Sequence, residues 1–256
     1  MELKLWENKI PFYNEQYDTP NRLQTYLVET DKPLPCVVIY AGGAYCVRAA
    51  HEGEGYAKFF QKNGIHAVLV DYRVAPNRYP AELADAQQGI RLVRAHAKEW
   101  MIDPEKVIVI GSSAGGHLAA MALLMEDVFD ESAKSDSANA FDARPNGAIL
   151  CYPVLSVSSE YGHAGSGMNL LGECYEAEKD AFNMVLRVNE KTPKCFLWHT
   201  SDDNAVNVRN SLLFCEQLRN HQVPFELHVF PHGAHGLGLG EPHWGTLAVE
   251  WIKREF

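Results

Sequence analysis

A chain of 256 residues, 46% hydrophobic and 22% charged, is long enough for one full core and has the composition of an ordinary globular protein. Its formal net charge of -10 argues against nucleic acid or an anionic membrane surface as partner, because both require clustered positive charge; it also disfavours a strongly anionic substrate. No apolar run is long enough to span a bilayer.

The chain opens Met1-Glu2-Leu3-Lys4-Leu5-Trp6-Glu7, with no basic stretch leading into an apolar one, so no secretory signal is expected. Segments near Leu3 to Trp6 and Arg22 to Glu29 read as antiparallel edge strands. From there, short apolar runs alternate with longer helical patterns. Pro35 to Ala41, His66 to Val70, Lys106 to Ile110, Ala148 to Tyr152, Cys195 to His199 and Phe225 to Phe230 read as strands. Helices are predicted between and after them, over 53–63, 82–99, 113–126, 207–221 and 243–255. Runs apolar on both faces and separated by helices imply a mainly parallel sheet covered on both sides, within one α/β domain spanning 1–256. Two stretches break the rhythm. Asp127 to Asn146 is polar and acidic and reads as a surface loop. Ser156 to Lys191, weakly helical over Glu176 to Val188, reads either as a small lid or as an ordinary long connection.

Six cysteines (Cys36, Cys46, Cys151, Cys174, Cys195 and Cys215) are scattered without a CxxC pair and are expected as free thiols, consistent with a cytoplasmic location. No HExxH or comparable ligand cluster appears, so neither a metal nor a cofactor is expected.

The most informative stretch is Gly111-Ser112-Ser113-Ala114-Gly115, between the apolar run Val107 to Ile110 and the small-residue segment Gly116 to Ala122. A buried strand, a tight turn with glycine at both ends and then a helix form the context of a nucleophile elbow. The positions two before and two after the nucleophile have almost no room for a side chain. Only Ser113 has glycine at both offsets, since Ile110 and Ala114 flank Ser112 at that spacing.

A serine hydroxyl needs a base to take its proton and an acid to orient that base. The acid should lie after a later strand and the histidine after a later one still. The strand ending in His199 leads into Thr200-Ser201-Asp202-Asp203-Asn204-Ala205-Val206, and the strand ending in Phe230 into Pro231-His232-Gly233-Ala234-His235-Gly236. Position along the chain leaves His232 and His235 as bases, with His235 preferred, and Asp202 and Asp203 as acids, with Asp203 preferred. A pocket for the negative oxygen normally uses the N–H after the nucleophile, here Ala114, and N–H groups of a glycine-rich loop. Ala41-Gly42-Gly43-Ala44-Tyr45 follows the strand that should carry that loop.

With these segments, together with Asp71-Tyr72-Arg73-Val74-Ala75-Pro76, the chain resembles the α/β-hydrolase esterases and lipases, especially their acetylxylan-esterase-like branch. The resemblance selects Asp203, four residues after the strand-end histidine and three before a valine, and His235 in the P-x-G-x-H-G pattern. Ala41 and Ala44 depart from the His-Gly-Gly-Gly loop of the wider family, which makes Gly43 the firmer oxyanion donor and Ala44 the weaker. It also pairs Arg73 with a carboxylate, Asp85, as a support for the oxyanion loop. The implied activity is hydrolysis of short acyl esters, acetyl above all, from sugars or xylo-oligosaccharides through an acyl-enzyme. A short-chain lipase or peptidase-like hydrolase, and a non-catalytic binding protein on the same scaffold, are the alternatives.

Overall fold

Cys36-Val37-Val38-Ile39-Tyr40 is buried at every position, and its alternate residues serve two different cores. Cys36, Val38 and Tyr40 enter one hydrophobic cluster while Val37 and Ile39 enter the other; Val107 and Val109 are likewise separated from Ile108 and Ile110. Successive strand side chains point to opposite faces, so a continuous apolar run requires cover on both. The computed structural model describes residues 1–128, 136–240 and 243–256 and has that arrangement.

Eight strands form one sheet: β1 (Glu2–Leu3), β2 (Leu23–Tyr26), β3 (Leu34–Tyr40), β4 (His66–Val70), β5 (Ile102–Ser112), β6 (Gly147–Cys151), β7 (Lys194–Thr200) and β8 (Phe225–Phe230). Their order is β1-β2-β4-β3-β5-β6-β7-β8. The pairs β1·β2 and β2·β4 are antiparallel, and every pair from β4 to β8 is parallel. This is the α/β-hydrolase architecture expected of the sequence. The first two strands are shorter than their apolar patterns implied.

One face is covered by α1 (Ala50–Lys62), through Tyr56, Ala57 and Phe60, and by α7 (Trp244–Glu255), through Trp244, Ala248, Trp251 and Ile252. The opposite face carries α2 (Ala81–Ala95), α3 (Ala114–Leu124) and α6 (Arg209–Asn220). Between β6 and β7 the chain adds α4 (Ala164–Leu171), the single turn α5 (Tyr175–Glu178) and several 3-10 turns; the continuous weak helix expected over Glu176 to Val188 is broken into these pieces. Part of the loop expected over Asp127 to Asn146 lies outside the described residues. Within the rest, Ser137–Ala140 is a 3-10 turn and Asp136 is buried, accepting the Glu7 N–H at 3.0 Å. All six cysteines are free. Among the described residues no helix is long and apolar enough to cross a membrane.

The expected Arg73–Asp85 pair forms. Both side chains are fully buried, and Asp85 accepts from Arg73 Nε at 2.8 Å, from Arg73 Nη2 at 2.9 Å and from Trp6 Nε1 at 2.9 Å. The remaining guanidinium N–H groups reach the carbonyls of Pro11 and Ala81, at 2.8 and 3.2 Å. A buried pair tolerates its desolvation only when its polar atoms are satisfied in this way. The pair therefore ties the N-terminal segment to α2.

Three residues earlier on α2, Glu82 is fully buried and neither carboxyl oxygen has a hydrogen-bond partner among the described residues. Burial pushes this carboxyl up to about 8, and the charge of Asp85 adds to the effect while Arg73 and Arg78 oppose it. Because the folded protein holds this proton more tightly than the unfolded chain, stability should fall as pH rises from about 4.5 to about 8. Glu82→Gln, neutral and of the same shape, should raise the melting temperature at pH 8.5 and leave it nearly unchanged at pH 5. Thermal melts of both proteins across this range test the point; a Gln variant less stable at pH 8.5 would contradict it.

Candidate active site

Three loops converge at the C-terminal end of the parallel strands, where open α/β sheets place their sites. At the end of β5 the chain turns into α3 through Ser113, whose φ of 53° and ψ of -120° lie where side-chain-bearing residues rarely go. Surrounding hydrogen bonds hold it there. Its N–H donates to Cys151 O at 3.0 Å, and its carbonyl accepts from Val154 and His117 N–H at 3.0 and 3.2 Å. The glycines on either side are steric necessities. A Cβ on Gly111 would lie 2.0 Å from Gly115 O, and one on Gly115 would lie 2.1 Å from Tyr40 O. Ser113 thus stands immediately before the first turn of α3, at the positive end of the helix dipole.

Asp203, in the loop after β7, and His235, in the loop after β8, complete a continuous hydrogen-bonded chain with this serine. Ser113 Oγ is 2.8 Å from His235 Nε2, and His235 Nδ1 is 2.7 Å from Asp203 Oδ2. The second carboxylate oxygen accepts the N–H groups of Ala205 and Val206, both at 2.9 Å. His199, buried at the end of β7, lies 3.4 Å from Asp203 Oδ2 and is itself fixed by Val206 O and Ser211 Oγ, both at 2.9 Å. Burial pushes the Asp203 carboxyl up, but hydrogen bonds from His199, His235 and the two backbone N–H groups outweigh it and hold the group well below the usual carboxylate range. Asp203 therefore stays ionised and demands that His235 Nδ1 carry a proton, leaving Nε2 to accept from the serine.

The alternatives from the sequence form a separate, exposed pair. His232 Nδ1 is 3.0 Å from Asp202, whose other oxygen accepts the Gly233 N–H at 2.8 Å. The His232 side chain is 85% exposed, against 21% for His235.

The loop after β3 packs directly on the elbow. A Cβ on Gly42 would lie 2.6 Å from Ser112 O, and Gly43, at φ +130°, would push one to 2.3 Å from Val47 O. Ala44 and Tyr45 follow with φ of 53° and 57°. Two consecutive left-handed residues with side chains persist only when neighbours hold them. Here Tyr72 Oη donates to Ala41 O, Asn169 Nδ2 to Ala44 O and Ala75 N–H to Tyr45 O, while Tyr45 Oη bonds His117 Nδ1 at 2.8 Å. Burial pushes His117 down to about 4, so it remains neutral between Tyr45 and Phe182 O and acts as a strut. The Gly42 N–H is already committed to Glu52 Oε2 at 2.8 Å. Gly43 and Ala44, the loop donors expected from the sequence, follow it, and Ala114 stands at the first position of α3.

Sequence reasoning assigned nothing to Glu52. A signal existed: on α1 it shares a helical face with Tyr56 and Phe60, both buried, which marks a carboxylate pointing inward. Its partners lie on other loops, beyond the reach of any local pattern. Among the described residues no group of three His, Cys, Asp or Glu side chains is arranged to hold a metal ion.

Comparison with known proteins gives the family and the fold. A family model described as BD-FAE matches residues 23–218. The endo-1,4-beta-xylanase B of Butyrivibrio fibrisolvens is 34% identical over 241 residues, covering 91% of this chain and 37% of that protein. An acetylxylan esterase of Xylanibacter ruminicola is 29% identical over 230 residues, covering 87% of this chain and 45% of that protein. The chain thus spans less than half the length of these curated relatives. Among solved structures, an acetyl ester-xyloside bifunctional hydrolase from Caldicellulosiruptor lactoaceticus superposes with a TM-score of 0.92 at 41% identity, covering 99% of this chain and 96% of that one. A thermophilic esterase from Thermogutta terrifontis with propionate bound gives 0.76 at 25% identity, over 98% of this chain and 93% of that one. With more than half of its length matched by the family model, the chain belongs to the BD-FAE family and carries the α/β-hydrolase fold of these esterases.

Proposed function

We propose that this protein is a serine carboxylic-ester hydrolase that removes short acyl groups, acetyl first among them, from sugars or xylo-oligosaccharides. The observation that carries the reading is the unbroken hydrogen-bonded chain from Ser113 Oγ through His235 to Asp203. Ser113 Oγ attacks the ester carbonyl as its proton passes to His235 Nε2. Asp203 keeps the imidazole in the tautomer that can accept that proton, and stabilises the imidazolium. The carbonyl oxygen, now negative, is received by the N–H groups of Gly43, Ala44 and Ala114, with the α3 dipole behind them. Collapse of the tetrahedral species expels the alcohol, which takes the proton from His235. Water then repeats the sequence on the acyl-serine and releases the acid.

Support for the substrate class comes from two similar proteins, an acetylxylan esterase and an acetyl ester-xyloside bifunctional hydrolase. The bound propionate of the Thermogutta terrifontis esterase supports a short acyl group.

Ser113→Ala should lower kcat by at least about 10³-fold, whereas Ser112→Ala should keep most of the activity. Loss of equal size in both would move the nucleophile elsewhere. Asp203→Asn should cost about 10²-fold or more through the wrong tautomer, while Asp202→Asn and His232→Ala, confined to the exposed pair, should stay within about threefold of the parent. Steady-state kinetics on p-nitrophenyl acetate separate the two aspartates directly.

Acyl length provides the third test. Each methylene that fits an apolar wall is worth about 0.8 kcal/mol, but a shallow pocket runs out of wall after a few carbons. We expect kcat/KM to be highest for acetyl or propionyl esters and to fall by at least about tenfold by octanoyl. Preference for octanoyl would replace the short-acyl reading with a lipase-like one.

A further inference from the structure

Behind the proposed site lies a set of polar side chains that the reaction does not use. Glu52, on the first turn of α1, is 3% exposed, and no lysine or arginine among the described residues pairs with it. Its Oε2 accepts the Gly42 N–H at 2.8 Å, and its Oε1 accepts Tyr152 Oη–H at 2.6 Å. The same phenol oxygen accepts the Gly238 N–H at 3.1 Å and lies 3.4 Å from Tyr56 Oη, which in turn bonds Ser112 Oγ at 2.8 Å. Burial raises both phenols well above their ordinary range, so they remain O–H donors. His51 adds an outer link, with Nε2 2.9 Å from Gly236 O and 3.8 Å from Glu52 Oε1.

Glu52 and Tyr152 therefore join two loops, and Tyr56 and His51 extend the network to the elbow and to Gly236. Gly42 belongs to the oxyanion loop, Gly238 and Gly236 follow His235, and Ser112 precedes Ser113. Tyr152 also presses its ring edge-on to the His235 imidazole, with centroids 5.1 Å apart, and holds φ at 34°, a conformation unfavourable for an aromatic residue. A buried carboxylate and a strained tyrosine are both costly. Between them they accept the backbone N–H groups of Gly42 and Gly238, one in each of two glycine-containing loops, and they are joined to each other by the Tyr152–Glu52 bond.

We propose that Glu52 and Tyr152 are positioning residues that clamp the oxyanion loop and the histidine loop at one separation, so that the oxyanion donors and His235 meet the same tetrahedral centre. The proposal rests on the reading of Ser113 as nucleophile. Its physical logic is that donors aimed at the transition state lose their value when displaced by an ångström, whereas the binding of the ground-state ester depends on them little.

The test compares Tyr152→Phe, Glu52→Gln and Glu52→Ala with the parent. The readings are kcat and KM for p-nitrophenyl acetate, the inhibition constant of phenylboronic acid, which forms a tetrahedral adduct with an active serine, and the melting temperature. Tyr152→Phe keeps the ring but frees Glu52 Oε1 and the Gly238 N–H, and should lower kcat about tenfold with KM within about twofold. Glu52→Ala also frees the Gly42 N–H and should lower kcat about 10²-fold. Boronic acid affinity should fall by similar factors. Glu52→Gln, whose amide oxygen can still accept from Gly42, should recover kcat to within about fivefold of the parent. Unchanged kcat in folded Tyr152→Phe overturns the proposal, as does a loss confined to KM or one that leaves boronic acid affinity intact. Should Glu52→Ala fail to fold, Tyr152→Phe decides alone. Turnover surviving in Ser113→Ala would instead defeat the nucleophile reading, so the two failures are distinguishable.

Discussion

The tightest constraint in the molecule is the backbone-to-backbone packing at the end of β5. A Cβ on Gly111 would meet Gly115 O at 2.0 Å and one on Gly115 would meet Tyr40 O at 2.1 Å, and the loop after β3 closes on the same point through Gly42. Because these contacts are between main-chain atoms, no side-chain rearrangement relieves them. Ser113 is thereby forced into its left-handed conformation and lifted clear of the sheet, while the N–H groups that begin α3 and those of Gly43 and Ala44 stay nearby. The glycines matter for the space they leave empty.

The parallel sheet supplies the second requirement, a common edge. With β3, β5, β7 and β8 running the same way, the loop after β3, Ser113, Asp203 and His235 all emerge at one end although they are separated by up to nearly two hundred residues of chain. Strand order alone brings them to the same rim; hydrogen bonds set the final ångströms. Asp203 is over-determined by His199, Ala205 and Val206 in addition to His235, which fixes the imidazole from behind. The loop after β3, proposed to receive the oxyanion, is held from three sides by Tyr72, Asn169 and Glu52. Such supporting hydrogen bonds preorganise a site so that little reorganisation accompanies the reaction.

The polar interior divides into arrangements of different character. Arg73 and Asp85 are mutually satisfied and bind the N-terminal segment to α2. His117 is neutral and spans Tyr45 to the 3-10 turns before β7. Glu82 has no such partner among the described residues and is held protonated by its burial instead. Each of these groups lies close to the oxyanion loop or the segment beside it, so the loop's unusual backbone angles are surrounded by buried polar contacts whose strength depends on geometry.

What could be read from the sequence was whatever depends on local spacing or on chain order. Alternation of apolar runs with helical patterns specified a covered parallel sheet. Glycine at both offsets singled out Ser113 over Ser112, since the steric reason is confined to five residues. The loop ends after β7 and β8 narrowed the partners to two adjacent pairs. Spacing favoured Asp203 and His235 without excluding their neighbours, because Asp202 and Asp203 are adjacent and both histidines sit beside glycines; resemblance to known esterases completed the choice. Tertiary structure decided which carboxylate turns inward to meet a buried imidazole and which stays in water with His232. It also decided the destination of Asp85, which chemistry paired with Arg73 but only packing directed to Trp6, and the role of Glu52, whose partners Gly42 and Tyr152 lie 10 and 100 positions away. Local sequence encodes which residues can take a conformation. Contacts between distant loops are fixed only when the sheet has closed and excluded water, since only then does an unmatched polar group become costly enough to select one arrangement.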